Sequence, residues 1–365
     1  MPNSPQPLQI SRVLWVIVII CIASGLTACS RDRSEVLVVE EYSFIQSRLW
    51  NPHSDELEEW QTFHRPRHIE PGPFDDLFVS DAGNQRIVRF WEDGTFEIIG
   101  REGEGPGEFR APRDIFIDPE NRVLFVVDIQ LQRIYQFLIE ESETSFIESF
   151  SMTETRIADG PYICPNPSGA SFFIHSVTSG SRIKHVAKDG SLIAAFGEIL
   201  DPPDPTYRSM QNMGFMGITG SNQLVFVSQF APIIEKYDLS GDLVESIAFR
   251  QAAFDTMLTR MNENKKSGGI PESAVFSFIE EAYVPFGSDN VYLMSRSDLF
   301  HVVDTSTLEI TKMLNIIYMD DEKAISPFCV IESERSDGLP TIYAIELQTG
   351  GIHKFTPESP PEDSR

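Results

Sequence analysis

The sequence predicts an all-β fold, a six-bladed β-propeller built from four-stranded antiparallel blades. The first observation is an internal repeat. LFVSDAGNQRIVRFWEDGTFEIIG, from Leu77, and LFVVDIQLQRIYQFLIEESETSFIESF, from Leu124, share an apolar strand, an aspartate and an arginine five residues later. Fainter copies follow from Phe172, Leu224 and Val291, and a last one from Ile342. Self-similarity at a period of about 20 to 50 residues is typical of solenoids and propellers.

The spacing of the repeat gives the number of blades. Six aromatic residues occupy equivalent places, at intervals of 47, 48, 53, 66 and 51 residues: Phe78, Phe125, Phe173, Phe226, Tyr292 and Tyr343. Within each unit, short strands that alternate apolar and polar residues are joined by turns that suit hairpins, such as Asp93-Gly94 and Asp189-Gly190. We therefore predict six sheets.

A fourth strand per unit is predicted just before each repeat. These innermost strands are expected at residues 113–118, 161–164, 216–219, 282–286 and 328–332. The sixth unit ends after its third strand, near Phe355, and residues 358–365 form an acidic tail that we expect to be disordered. Because an open sheet edge invites aggregation, residues 35–44 (EVLVVEEYSF) are predicted to complete the last blade.

The glycine-rich stretch GREGEGPGEFRAPRDI, residues 100–115, is predicted to connect the first blade to the second. A phosphate-binding loop would need a following helix and a lysine near its end. The stretch leads instead into a predicted strand and contains no lysine. Its glycines are expected to turn the chain from the rim of the ring to its axis.

The N-terminal segment predicts export and lipidation. Arg12 precedes an apolar run, residues 13–26, which has the length of a signal sequence and is short for a membrane span. Leu26-Thr27-Ala28-Cys29 resembles the bacterial lipobox, which implies removal of residues 1–28 and acylation of Cys29. A plain secretory signal or an N-terminal anchor helix is the alternative. Ser30 after the cysteine implies the outer membrane of the cell envelope.

The net charge limits the kinds of partner that the protein can bind. Without residues 1–28 the chain has 28 basic and 55 acidic residues, a formal net charge of −27, which repels phosphate backbones. Nucleic acid is therefore not expected as a partner.

Cys164 and Cys329 fall on inner strands of opposite blades, too far apart for a disulfide, and we predict two buried free thiols.

Three motifs stand out in the first two repeats: GEGPGEF from Gly103, APRDI from Ala111, and the Asp81-x-x-Asn84-x-Arg86 run. Together they resemble NHL-type repeat proteins, and more narrowly the bacterial six-bladed propeller lipoproteins. The resemblance extends over residues 66–150 and fades beyond them. It implies a structural role, tying a strand end to its hairpin, for five residues: Asp81, Asn84, Arg86, Asp128 and Arg133.

A binding site is predicted at one mouth of the central channel, where propellers usually hold ligands. Arg67 and Arg113 occupy matching places in neighbouring blades, with Arg65 and His68 nearby. Guanidinium groups in this arrangement can grip a carboxylate or sulfate. The alternative is that the arginines neutralise local carboxylates such as Asp114 and Glu108.

A metal-dependent hydrolase or lyase in the channel is the enzymatic alternative, with calcium as its ion. Calcium needs six to eight oxygen ligands, and the carboxylates near the inner strands show no matching positions: Glu70, Asp114, Asp118, Asp289 and Glu332. His175, His185, His301 and His353 lack zinc spacing, and His185 and His353 are expected on strand surfaces. No Gly-x-Ser-x-Gly elbow is present. No metal, cofactor or catalytic residue is predicted.

The sequence thus favours a lipid-anchored envelope propeller that binds an anionic or carbohydrate-like ligand, or another envelope protein. A structural envelope component is a further alternative. Residues 251–273, between the fourth and fifth blades, are predicted to contain a short amphipathic helix on Phe254, Met257, Leu258 and Met261.

Overall fold

The computed structural model describes residues 40–50, 63–152, 163–176, 180–200, 208–231, 233–248, 259, 263, 277–295, 299–317, 325–332, 338–346 and 351–358. Within these ranges the regular secondary structure consists almost entirely of strands. No helix of the described part is long and apolar enough to cross a membrane. The predicted signal segment, Cys29 and the acidic tail lie outside the described residues, except for Glu358 at the start of the tail.

The first strand, β1 (Glu40–Trp50), precedes four blades of identical topology. The first two blades are β2 (Pro66–Pro71), β3 (Asp76–Asp81), β4 (Arg86–Trp91), β5 (Phe96–Ile99), and β6 (Pro112–Asp118), β7 (Val123–Asp128), β8 (Arg133–Ile139), β9 (Thr144–Ser151). The next two are β10 (Ile163–Pro165), β11 (Ser171–His175), β12 (Ser181–Ala187), β13 (Leu192–Glu198), and β14 (Gly214–Ile218), β15 (Leu224–Ser228), β16 (Ile233–Tyr237), β17 (Leu243–Ala248). A short helix, α1 (Arg208–Gln211), precedes β14.

The last two blades are joined through β1. The fifth blade is β18 (Ile279–Tyr283), β19 (Asn290–Ser295), β20 (Leu299–Asp304) and β21 (Glu309–Ile317), and the sixth begins with β22 (Ile325–Ile331), β23 (Thr341–Glu346) and β24 (Ile352–Pro357). β1 pairs antiparallel with β24 and thereby supplies the fourth strand of the sixth blade. The same strand pairs in parallel with β21, so that the fifth and sixth blades form one eight-stranded sheet.

The prediction of an N-terminal closing strand is confirmed, but its predicted bounds were wrong. The residues that close the sixth blade run from Phe44, opposite Pro357, to Trp50, opposite Ile352. β24 pairs with the second half of β1, opposite Ile352 to Pro357, while Glu40 to Ile45 pair with β21. Residues 35–39 of the predicted strand lie outside the described residues.

The six blades form a closed ring. Each innermost strand contacts the innermost strand of the next blade, and β22 contacts β2. The strand register also confirms the predicted equivalence of the six aromatic residues, since each faces the same inner-strand position. These positions are Glu70, Phe116, Cys164, Met216, Tyr283 and Cys329. The six-bladed, four-stranded fold is therefore the fold predicted.

The ring has two distinct faces. We define the upper face as the end at which each innermost strand begins, and the lower face as the end at which it finishes. Since strands alternate in direction, the hairpin between the third and fourth strands of each blade also lies at the lower face. β1 starts at the lower face, because Glu40 lies opposite Lys312, close to the hairpin that joins β20 to β21.

Apolar layers between neighbouring blades form the core. One of them joins Phe78 and Ile87 of the first blade to Ile115, Leu124 and Tyr135 of the second. The glycine-rich stretch belongs to this layer, because Phe109 is fully buried and meets Tyr135 edge to face at 5.1 Å. Gly100, with φ of 77°, turns the chain where the Phe109 ring leaves no room for a side chain. The stretch is thus an anchored connection between blades.

Some inner strands begin earlier than predicted. β18 starts at Ile279, three residues before the expected strand, because a bulge at Glu280 breaks the alternation on which the prediction depended.

Cys164 and Cys329 are free and buried, which confirms the two predicted thiols. Residues 251–273 lie outside the described residues apart from Thr259 and Glu263, both helical.

Candidate functional site

The same β-bulge recurs where inner strands enter the channel. In β2 the register shifts between Pro66 and His68, and in β6 it shifts between Pro112 and Asp114. The bulged residues are Arg67 and Arg113, each of which is the second residue of its strand. Because a bulge re-aims the residues after it, His68 and Asp114 both line the channel. Glu281 in β18 occupies the same position after a third bulge.

Four side chains from three blades meet in the channel, and we call them the channel cluster: His68, Glu70, Asp114 and Tyr283. His68 Nδ1 contacts Asp114 Oδ1, and its Nε2 lies 3.2 Å from Glu70 Oε1. The hydroxyl of Tyr283 donates to Glu70 Oε2 at 2.7 Å. Asp114 Oδ2 accepts the backbone N–H of Ile163 at 2.9 Å. The cluster therefore links the first, second, third and fifth blades.

Geometry determines the charge of the imidazole. A neutral histidine offers one donor and one acceptor, whereas both ring nitrogens of His68 face carboxylate oxygens. Burial disfavours charge on His68, but Asp114 and Glu70 outweigh it and hold its pKa well above the usual value. Burial also raises the pKa of Glu70, against the opposing hydrogen bond from His68. The arrangement is an imidazolium held between two buried carboxyl groups.

The rest of the channel wall is mostly apolar and the passage is narrow. Ile115, Phe116, Met216 and Val284 are among the lining residues. The space open to the centres of water molecules is about 40 Å³, which is room for about three waters. A ligand larger than a few atoms can therefore present only one end to the channel cluster.

The predicted arginines lie at the upper face, where β2 and β6 begin. Arg65 and Arg67 are exposed on either side of Pro66, and Arg113 is half-buried. The two carboxylates that the alternative named have other partners, and Arg67 makes a contact of its own. Asp114 contacts His68, and Glu108 accepts two hydrogen bonds from Arg101, the shorter at 2.8 Å. The upper mouth thus combines cationic residues at its rim with the channel cluster below.

The repeat aspartates hold strand ends to hairpins. Asp81 accepts hydrogen bonds from the backbone of His64 and from the side chains of Asn84 and Arg86. Asp128 accepts four backbone N–H groups, two from the approach to β6 and two from its own hairpin. Arg133 donates to the backbone oxygen of Glu104 at 3.0 Å. These five residues lie away from the channel lining.

The remaining candidates for metal ligands are dispersed. Asp118 holds Asn121 in a turn, Asp289 accepts the N–H of Ser221, and Glu332 accepts Tyr292. No group of three or more histidine, cysteine or acidic side chains in the described residues is arranged to hold a metal ion. The expectation that His185 and His353 are surface residues was wrong. His185 stacks on Phe173 and His353 is 1% exposed, because both face the apolar layers between blades.

Sequence reasoning missed Tyr283 and the meeting of His68 with Glu70 and Asp114. The channel places them together through a ring closed over more than two hundred residues, since Tyr283 and Glu70 are 213 positions apart. A signal was nevertheless present, because His68 and Asp114 follow matching Pro-Arg pairs in the first two blades. Residues after equivalent bulges line the same channel.

Comparisons with known proteins agree with this architecture. The profile of a family described as "6-bladed beta-propeller" matches residues 66–163, which comprise the first two blades and the start of the third. No curated protein matches the chain. Among solved structures, a Bacteroides fragilis protein named as an exported protein aligns with a TM-score of 0.53 at 12% identity, covering 87% of this chain and all of that one.

Two further structures are similar at low identity. A Bacteroides thetaiotaomicron protein of unknown function has a TM-score of 0.51 at 11% identity, covering 86% of this chain and 76% of the other. Virginiamycin B lyase from Staphylococcus aureus has a TM-score of 0.46 at 12% identity, covering 86% and 99%. These likenesses concern the fold alone.

Proposed function

We propose that this protein is an envelope propeller that binds a small, hydroxyl-bearing ligand at the upper mouth of its channel. The single observation that carries the proposal is the channel cluster, four polar side chains gathered in a passage whose other lining residues are mostly apolar. Buried polar groups that converge in a concave site are the usual signature of a ligand pocket. Their hydrogen-bonding capacity is not exhausted by the contacts among them.

The chemistry of the cluster favours hydroxyl groups over a bare anion. Glu70, Asp114 and Glu281 place negative charge in the channel, and that charge repels an anion from its depth. A sugar hydroxyl can donate to these carboxylates and accept from His68. An acidic group on the same ligand would remain at the rim, where Arg65, Arg67 and Arg113 lie. The ligand class that fits both the channel cluster and the arginines at the rim is an acidic saccharide.

The proposed location is the bacterial envelope, with a lipid anchor at Cys29. The supporting observations are the signal-like residues 13–26 followed by Leu26-Thr27-Ala28-Cys29. The similar Bacteroides fragilis protein is named as exported, which agrees with this location. Acyl chains on one cysteine would hold the protein on the membrane without a spanning helix.

The test uses the soluble form that begins at Ser30 and two disaccharides of equal length, one neutral and one containing a uronic acid. Isothermal titration is expected to show binding of both, with the uronic acid form tighter. Changing Arg67 and Arg113 together to alanine should weaken only the acidic ligand, by about tenfold, the low end for hydrogen bonds to charged groups, because both residues are partly exposed.

His68→Asn should weaken both disaccharides, because the channel cluster contacts the part of the ligand that they share. Lys188→Ala is the matched control, since Lys188 is an exposed cation at the lower face and should leave both affinities unchanged. Absence of binding for both sugars, or equal affinities in all variants, would contradict the proposed ligand class and site.

A further inference from the structure

Exposed large hydrophobic side chains are concentrated at the lower face of the ring. Eleven such side chains in the described residues are at least about one-third exposed. Nine lie on the lower halves of strands or on lower connections: Leu138, Phe146, Ile147, Leu192, Ile193, Leu243, Val244, Phe286 and Ile331. The other two are Ile98, in the upper half of β5, and Met210, on the approach to β14. An exposed apolar patch of this kind indicates an interaction surface.

A structural device repeats at the rim of this face. In blades two, three and four the outermost strand has a bulge just after its hairpin, and each bulged residue is an exposed β-branched aliphatic. These residues are Ile147, Ile193 and Val244, which are 46%, 55% and 50% exposed. Phe146, Leu192 and Leu243 precede them and are also exposed. Three successive blades thus expose an apolar pair at the same end of the ring.

The chain from the proposed lipid attachment point arrives at the same face. β1 begins there, because Glu40 lies opposite Lys312 near the lower hairpin of the fifth blade. Glu40 is eleven positions after Cys29, and a fully extended chain of that length spans at most about 40 Å. An acylated Cys29 would therefore keep the lower end of β1 within that distance of the bilayer surface.

We infer that the lower face rests on the membrane that anchors the protein, with the exposed apolar pairs of blades two to four inserted among the lipid headgroups. The inference rests on the proposed lipid anchor and adds an orientation to it. In this orientation the upper mouth, with its arginines and the channel cluster, faces away from the bilayer and stays open to ligand. The apolar pairs are too few to hold the protein alone, and they fix its tilt.

Acidic turn residues select the kind of lipid. The lower hairpins carry Asp93, Asp189, Asp238 and Asp304, each of which accepts a backbone N–H of its own turn. These carboxylates would lie beside the headgroups. Anionic lipids would repel them, whereas the ammonium groups of zwitterionic lipids would not. The proposed surface is therefore a zwitterionic bilayer.

The test uses the full lipidated chain in phosphatidylethanolamine and phosphatidylcholine vesicles, with an environment-sensitive fluorophore on Leu192→Cys or Val244→Cys. Met210→Cys is the matched control, because Met210 is an exposed hydrophobic residue of the opposite face. Native Cys164 and Cys329 are buried and should not react. We expect labels at 192 and 244 to lose most of their emission when the lipids carry a headgroup-level nitroxide quencher, and the label at 210 to keep it.

Equal quenching at all three positions would overturn the inferred orientation. Protection of positions 192 and 244 in the absence of lipid, rising with protein concentration, would overturn it in favour of contact between copies of this chain. Replacing half of the lipid with phosphatidylglycerol should reduce quenching at 192 and 244. The mass of the modified Cys29 peptide tests the anchor separately, and disaccharide titration tests the mouth, so failure of the orientation is distinguishable from failure of the proposed function.

Discussion

Replacing His68 with glutamine removes the only cation of the channel cluster while keeping a donor of similar reach. The change leaves Glu70 and Asp114 buried, at 9% and 5% exposure, without the charge that compensates them. Removing one partner of a buried ion pair costs about 3 to 5 kcal/mol. Because His68 is partly exposed, we expect the low end, a loss of about 3 kcal/mol in the free energy of unfolding.

The loss should depend on pH. The pKa of His68 is higher in the folded protein, so its contribution is fully present below the unfolded value of about 6.5 and disappears as pH rises through the folded value. The difference between wild type and H68Q should therefore be larger at pH 6 than at pH 9.

Urea unfolding of the soluble form at both pH values measures these differences. Glu70→Gln in the H68Q background should recover about 1 kcal/mol or more, because it removes one of the uncompensated carboxylates and contacting residues are not additive. A loss under about 1 kcal/mol for H68Q, a loss independent of pH, or strict additivity in the double variant would refute the paired-charge account.

Three further predictions concern stability and thiols. Asp128→Ala should lower the free energy of unfolding by about 3 kcal/mol, since four backbone N–H groups lose their acceptor, and Asp128→Asn by less, as urea unfolding would show. Glu235→Gln should lower the free energy of unfolding by about 3 kcal/mol, because Arg182, 2% exposed, loses the carboxylate that it binds at 2.6 Å. Glu245 is an exposed partner of Lys236, so the control Glu245→Gln should cost under about 1 kcal/mol. Calorimetry measures both. An aromatic disulfide reagent should find no reactive thiol in the native soluble form and two after denaturation.

The architecture was readable from the sequence because each blade repeats a local pattern. Phe78, Phe125 and their four counterparts all face the same inner-strand position, so the spacing of aromatic residues alone gave the correct number of blades. The bounds of β1 were less readable. Alternation favours residues 35–44 as much as it favours Glu40–Trp50, and the register against β24, a strand more than 300 positions away, selects the residues that pair.

The channel cluster was only half readable. Matching Pro-Arg pairs marked the equivalence of His68 and Asp114, but the pairs alone do not show that a bulge at each arginine turns the next residue into the channel. Tyr283 belongs to a strand whose predicted start was three residues late. Its contact with Glu70 depends on closure of the whole ring, which local patterns do not encode.

Closure of the ring by β1 supports both the channel and the inferred orientation, and a cross-link tests it most directly. Ser47 of β1 lies opposite Lys354 of β24. In the soluble form, Ser47→Cys with Lys354→Cys should oxidise to an intramolecular disulfide in the monomer and raise the thermal midpoint. Cysteines that stay reduced under oxidant, or that join two chains into a dimer, would contradict closure of the sixth blade by its own N-terminal strand.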